Sequence, residues 1–198
     1  MLGRILRSAS TTFTFGRTLN AGDLPAFGDL VTADAAGGPV YGLIYEIIVE
    51  DDPFVRQVVA ASADMPQEKI EDMRQRRQVP VEITALAVAY RQYDRIWQGV
   101  PPRPPGALQR VTACDCATTR AVLDDFVFFR LILNHGQAPT DELLTASLLN
   151  AAGCQPPGQD RAYLLDAGRE LVRLLAQEPA RLDAILRRLA AYAETSHE

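Results

Sequence analysis

The stretch that decides the fold is residues 79–92, "VPVEITALAVAYRQ". Val81, Ile83, Ala85, Ala87 and Ala89 share one parity; Glu82, Thr84, Leu86, Val88 and Tyr90 share the other. Alternate residues of a strand face opposite ways, so each parity is one face. Beyond Glu82 both faces are largely apolar, which predicts a strand covered on both sides.

The chain before it also reads as β structure. "STTFTFGRT" (10–18) sets Phe13 and Phe15 on one face and Thr12, Thr14 and Gly16 on the other. "LNAGDLPA" (19–26) is a loop, "FGDLVTA" (27–33) a short strand and "DAAGGP" (34–39) a turn. "VYGLIYEIIVE" then predicts a strand from Val40 to about Val49, with Gly42 marking a bulge or sharp bend. The opening "MLGRILRSAS" lacks the apolar segment of a secretory signal and reads as a first strand. Short, bent strands suit a small closed barrel.

Asp52-Pro53 breaks this pattern, since Asp caps a helix and Pro is tolerated in its first turn. A second start lies at "DMPQEKIEDMRQRRQ" (64–78), where Gln67 follows the Asp64 cap by three. Residues 53–78 therefore read as a helical insertion between strands. After the covered strand comes "RIWQGVPPRPPGALQRV" (95–111), with the only tryptophan, Trp97, and four prolines around Arg103. It reads as a stiff extended strap, because proline fixes φ and donates no N–H. Trp97 is expected to anchor its start, and "LQRVTAC" (108–114) to form one more strand.

Beyond Cys116 the chain turns helical. "TTRAVLDDFVFFRLILN" (118–134) spaces Val122, Phe126, Phe129 and Leu133 as one helical face. "NHG" (134–136) is a stop, with Gly136 suited to a left-handed end residue. "PTDELLTASLLNAAG" ends at Gly153; "DRAYLLDAGRELVRLLAQ" carries Leu164, Leu171, Leu174 and Leu175; "ARLDAILRRLAAYAE" carries Leu182, Ile185, Leu186 and Leu189. About four amphipathic helices thus predict a bundle. The fold class expected is α+β: a closed barrel over 1–116 and a helical domain over 117–198.

Composition narrows the function. Of 198 residues, 47% are hydrophobic, and no apolar run approaches the roughly 18 residues of a membrane span. The net charge of −5 runs against a protein that grips nucleic acid mainly through phosphates. Three cysteines are an odd number, read as thiols in a reducing cytoplasm and not as a disulfide framework.

In order, these pieces resemble the HAS barrel, the N-terminal barrel of HerA-type DNA translocases, NurA-type nucleases and rotary ATP synthase subunits. The likeness lies in the "FTF", "FGDLV" and "VYGLI" strands, and in "VPVEITALAVAY…GVPPRPP…LQRV" for the second half. With "DDPFVRQVV", "RQRRQVPVE" and "LLDAGRELVRLLA", nearly the whole chain resembles stand-alone HAS-barrel proteins of this length. The resemblance implies an assembly or adaptor module acting with a HerA-type ATPase or NurA-type nuclease in DNA processing. It does not imply ATP hydrolysis, because the sequence has no G-x-x-x-x-G-K-[ST], and its only lysine, Lys69, has no glycine-rich neighbours. No NurA-type metal-binding core matches either.

Candidate chemistry is sparse. Cys114 and Cys116 in "CDC" would share a strand face, but the second pair that a zinc site needs is missing nearby. His135 reads as a helix-end residue complementing the dipole, and His197 as part of a tail. Asp51-Asp52 starts a helix; Glu71-Asp72 and Asp124-Asp125 read as solvated faces. Arg74, Arg76 and Arg77 form the best basic cluster, offset by Glu68, Glu71 and Asp72. Together with Arg103 they are the candidate partner contacts. No cofactor or metal is expected, and the appended helices leave room for a homo-oligomer interface. Two other classes stand beside the adaptor. One is an OB-like nucleic-acid-binding barrel. The other is an enzyme without a familiar motif, which a pocket gathering Cys114 or Cys116 with His135 would mark.

Overall fold

The computed structural model describes residues 1–18, 24–49 and 80–195. Among the described residues, seven strands precede five helices: β1 (Gly3–Ser8), β2 (Thr12–Thr18), β3 (Leu30–Ala33), β4 (Val40–Val49), β5 (Pro80–Gln92), β6 (Arg95–Gln98) and β7 (Arg110–Ala113). Every pairing is antiparallel, in the order β2-β1-β7-β3-β4-β5-β6. β2 also pairs with β5, from Thr12↔Leu86 to Thr18↔Pro80. That pairing closes six strands into a barrel and leaves β6 outside, on the far half of β5. The expected helical insertion at 53–78 lies outside the described residues.

The two faces of β5 explain the pattern that opened the sequence. Val81, Ile83, Ala85 and Ala87 point into the lumen with Ile5, Phe13, Phe15, Val31, Val40, Ile44 and Val111. Leu86 and Val88 point outward and join a second cluster with Tyr41, Leu43 and Tyr45 and with the helices. Helices therefore cover the outside of β4 and β5, and the lumen fills with side chains, as in the smallest barrels. The parity fails at one place. Ala89 belongs to the outer cluster, because a bulge slips the β4–β5 register between Tyr41 and Gly42. A one-residue bulge flips the faces beyond it. A second slip, between Ile44 and Glu46, turns Glu46 out to solvent and returns Ile47 to the lumen side.

Gly42 sits at the first slip, as its sequence position predicted, and it has a second task. A Cβ there would lie 2.7 and 2.8 Å from ring carbons of Phe13 and 3.1 Å from the Ala85 Cβ. The lumen admits Phe13 only because this position has no side chain. Gly28 does the same outside the barrel. Its φ is +85°, and a Cβ would meet Ala146 at 2.6 Å, so the loop before β3 lies directly on a helix.

The helices are α1 (Cys116–Leu123), α2 (Phe129–Leu133), α3 (Thr140–Gly153), α4 (Asp160–Leu174) and α5 (Pro179–Thr195). The expected single helix over 118–134 is broken instead. α1 stops before Asp124-Asp125, a 3₁₀ turn spans Phe126–Phe128, and α2 follows. The break lets Phe128, Phe129 and Ile132 be fully buried while Leu133 is only partly so. Gly136 does not take the left-handed conformation; the helix ends at Asn134 without it. The later boundaries agree with expectation, and Leu164, Leu171, Ile185 and Leu189 are buried as their spacing required.

The cysteines overturn the reading as three free thiols. Cys116 and Cys154 form a disulfide with Cα atoms 4.8 Å apart, leaving Cys114 free. Nothing in the odd count forbade one pair. "CDC" is also not a strand: Cys114 lies just past β7, and Asp115 caps α1 by accepting from the Thr118 N–H at 2.7 Å. The bond joins the start of α1 to the end of α3.

Candidate partner interface

The proline strap spans one end of the barrel. Gly99 N–H donates to the Val88 carbonyl at 2.9 Å, and Ser8 Oγ donates to the Pro105 carbonyl at 2.6 Å. Past the prolines, Leu108 N–H donates to Ile5 O and Ile5 N–H to Gln109 O, each at 2.9 Å. Pro101 and Pro105 are buried, whereas Pro102, Arg103 and Pro104 are exposed. The strap is thus pinned at both ends and presents its middle to solvent.

Its anchor is Gln98, not Trp97. The burial of β6 alternates, with Ile96 and Gln98 inward and Arg95 and Trp97 outward. Trp97 is 45% exposed, with the Arg95 guanidinium 4.7 Å from its ring centroid. Gln98 Nε2 donates to the Val122 carbonyl at 2.7 Å and also to the Asp125 carbonyl, and its Oε1 accepts from Phe128 N–H at 2.8 Å. One amide therefore satisfies the backbone groups released where α1 breaks. The sequence offers one signal for β6, the Tyr93-Asp94 pair between "AVAYRQ" and "RIWQ". Both take positive φ, 50° and 57°, as a two-residue hairpin turn requires.

Arg103 borders a cavity of about 280 Å³ with Arg91, Tyr90, Gly38 and Pro101. Its lining contains two guanidiniums and no carboxylate. Arg91, at the end of β5, is a site residue that its strand position concealed; its positive charge acts on the Tyr41 phenol to favour the ionised form. Burial nonetheless raises the Tyr41 phenol above its ordinary range. The cluster of Arg74, Arg76 and Arg77 lies outside the described residues, as do Asp51-Asp52, Glu71-Asp72 and His197.

The nucleophile candidates are not assembled. Cys114 borders a cavity of about 460 Å³ with Asn150, Cys154 and Tyr192, while His135 borders another, of about 210 Å³, with Thr11 and Arg130. Burial pushes the Cys114 thiol up to about 12, so it is held protonated. His135 is not the expected cationic helix end. It packs edge-on against Tyr45 with ring centroids 5.1 Å apart, its Nε2 is buried without a hydrogen bond, and burial lowers its pKa. Asp124 and Asp125 are exposed at the helix break. Among the described residues no cluster of three or more His, Cys, Asp or Glu is placed to hold a metal ion, and no helix is long and apolar enough to cross a membrane.

No known family model matches the chain, and comparison with curated proteins finds no matching relative.

Proposed function

We propose that the chain is a stand-alone HAS-type barrel protein, a non-catalytic adaptor that docks on a HerA-type ATPase or NurA-type nuclease in DNA processing. The observation that carries this reading is the closed six-stranded antiparallel barrel. Its strands come from the segments that bear the resemblance: "FTF" lies in β2, "FGDLV" leads into β3, "VYGLI" opens β4 and "PVEITALAVAY" lies in β5. The strap-covered end offers rigid prolines and the exposed Arg103 beside Arg91 as a docking face. Preorganised surface of this kind lowers the entropy cost of association. The helices, read as a bundle, brace the barrel from outside. Cytoplasmic placement belongs to the same proposal.

Size-exclusion chromatography with a HerA-type ATPase tests it. Co-elution at micromolar concentration and low salt is expected, and Arg103→Glu is expected to weaken it about tenfold. Absence of co-elution removes the partner assignment. Tight, steeply salt-dependent binding in a gel shift replaces it with the OB-like reading.

A further inference from the structure

An apolar groove lies between α4 and α5, and neither the strap cavity nor the Cys114 cavity shares its residues. Along α4, Arg161, Leu165, Gly168 and Val172 recur at helical spacing and so form one stripe. Leu186 and Ala190 of α5 form the opposite wall, and the space between is about 470 Å³. Leu165 is 60% exposed and Val172 50% exposed, although neighbouring leucines of the same helix are buried. Contiguous exposed apolar surface around a concavity marks an interaction site.

The charge at this groove selects its occupant. Among the described residues, Arg161 and Arg169 are the ionisable ones that line it. Arg169 pairs with the exposed Asp166 at 2.6 Å, and Arg161 has no ion-pair partner among the described residues. An apolar trough with a cationic rim, in a chain of net charge −5, complements a ligand with a leucine stripe and flanking carboxylates.

We propose that this groove docks an acidic amphipathic helix of a partner protein, its apolar residues between α4 and α5 and its carboxylates on Arg161 and Arg169. A second copy fits poorly, because any copy offering the same stripe brings its own Arg161 and Arg169 against these two. A bilayer fits poorly as well: the surface is concave, and two arginines fall short of the basic clusters that hold anionic lipid.

Fluorescence anisotropy with two labelled helical peptides tests the proposal. Both carry a leucine stripe at i, i+4, i+7 and i+11; one is flanked by glutamates and the other by lysines. The glutamate peptide is expected to bind at micromolar concentration, with the lysine peptide weaker by about tenfold or more. Leu165→Ser and Val172→Ser, at exposed positions and with unchanged circular dichroism, are expected to weaken it by about tenfold. Arg161→Glu is expected to reduce the preference for glutamate. Equal binding of both peptides, or none up to about 1 mM, overturns the proposal. Dimerisation abolished by Leu165→Ser overturns it in favour of a second copy. Sedimentation with phosphatidylserine vesicles, lost in the same variant, overturns it in favour of a lipid surface. The strap and Arg103 take no part in these measurements, so their outcome is separate from that of the barrel docking.

Discussion

Gln98 and Gly42 show how single positions hold this molecule. Gln98→Leu keeps the volume but removes three hydrogen bonds, leaving the Phe128 N–H and two carbonyls to find water. A loss of about 2–3 kcal/mol is expected in urea denaturation, since each unsatisfied group costs about 1 kcal/mol or more. Gly42→Ala drives a methyl group into Phe13, and overpacking of this kind costs about 1–3 kcal/mol. Adding Phe13→Leu is expected to recover part of that loss, so the pair couples in a double-mutant cycle. His135 gives a pH signature. Its folded pKa lies below the ordinary value of 6.5, so the unfolded chain takes up the proton first. The His135 contribution is complete above about pH 6.5 and is lost as pH falls below it, ahead of the carboxylates. In His135→Phe the denaturation midpoint is expected to be flatter between about pH 7 and 5; an unchanged slope would sink the assignment.

Among the elements, the junction of α1 and α3 carries the covalent tie. The disulfide closes a separation of 38 residues, worth about 4 kcal/mol by loop-closure entropy. Arg120 Nη1 adds a bond to the Cys154 carbonyl at 2.5 Å. Reduction, or Cys116→Ser with Cys154→Ser, is therefore expected to lower the urea midpoint clearly. Thiol titration offers an independent check: one reactive thiol in the denatured, unreduced protein, and a slow one in the folded state, because burial pushes Cys114 up to about 12. Three thiols under denaturing conditions would refute the pairing. A second tie joins α5 to α3, where Arg181 Nε donates to Asp141 Oδ1 at 2.6 Å and its Nη2 to Thr140 Oγ1 at 2.7 Å. Neither tie has a periodic signature, because both depend on which helices become neighbours.

For the whole molecule, the outer face of the barrel and the helices form one hydrophobic cluster. Leu43, Tyr45, Leu86 and Val88 supply the strands' share, and Phe128, Phe129, Leu144 and Leu148 that of the helices. Unfolding is therefore expected to be a single transition, with Trp97 fluorescence reporting β6 and far-ultraviolet circular dichroism reporting the helices at coincident midpoints. Separated midpoints would show that barrel and helices fold independently.

Strand and helix positions were legible in the sequence wherever period and turn chemistry agreed. β4 runs from Val40 to Val49 as its residues predicted, and both faces of β5 are covered as its two apolar parities required. These are local properties, since a side chain's direction follows from its parity in the strand. Arg103 was legible as an exposed strap residue, but Arg91 and Gln98 were not, because their roles come from distant partners. The same limit hid the break at Asp124-Asp125, the pairing of Cys116 with Cys154 and the neutral packing of His135 on Tyr45. Chain pattern by itself determined that β4 and β5 are covered and which leucine stripes of α4 and α5 are buried. Only the closure of β2 on β5, and the seating of the helices on β4 and β5, decided which buried residues meet. Those contacts join residues tens of positions apart, and no local preference encodes them.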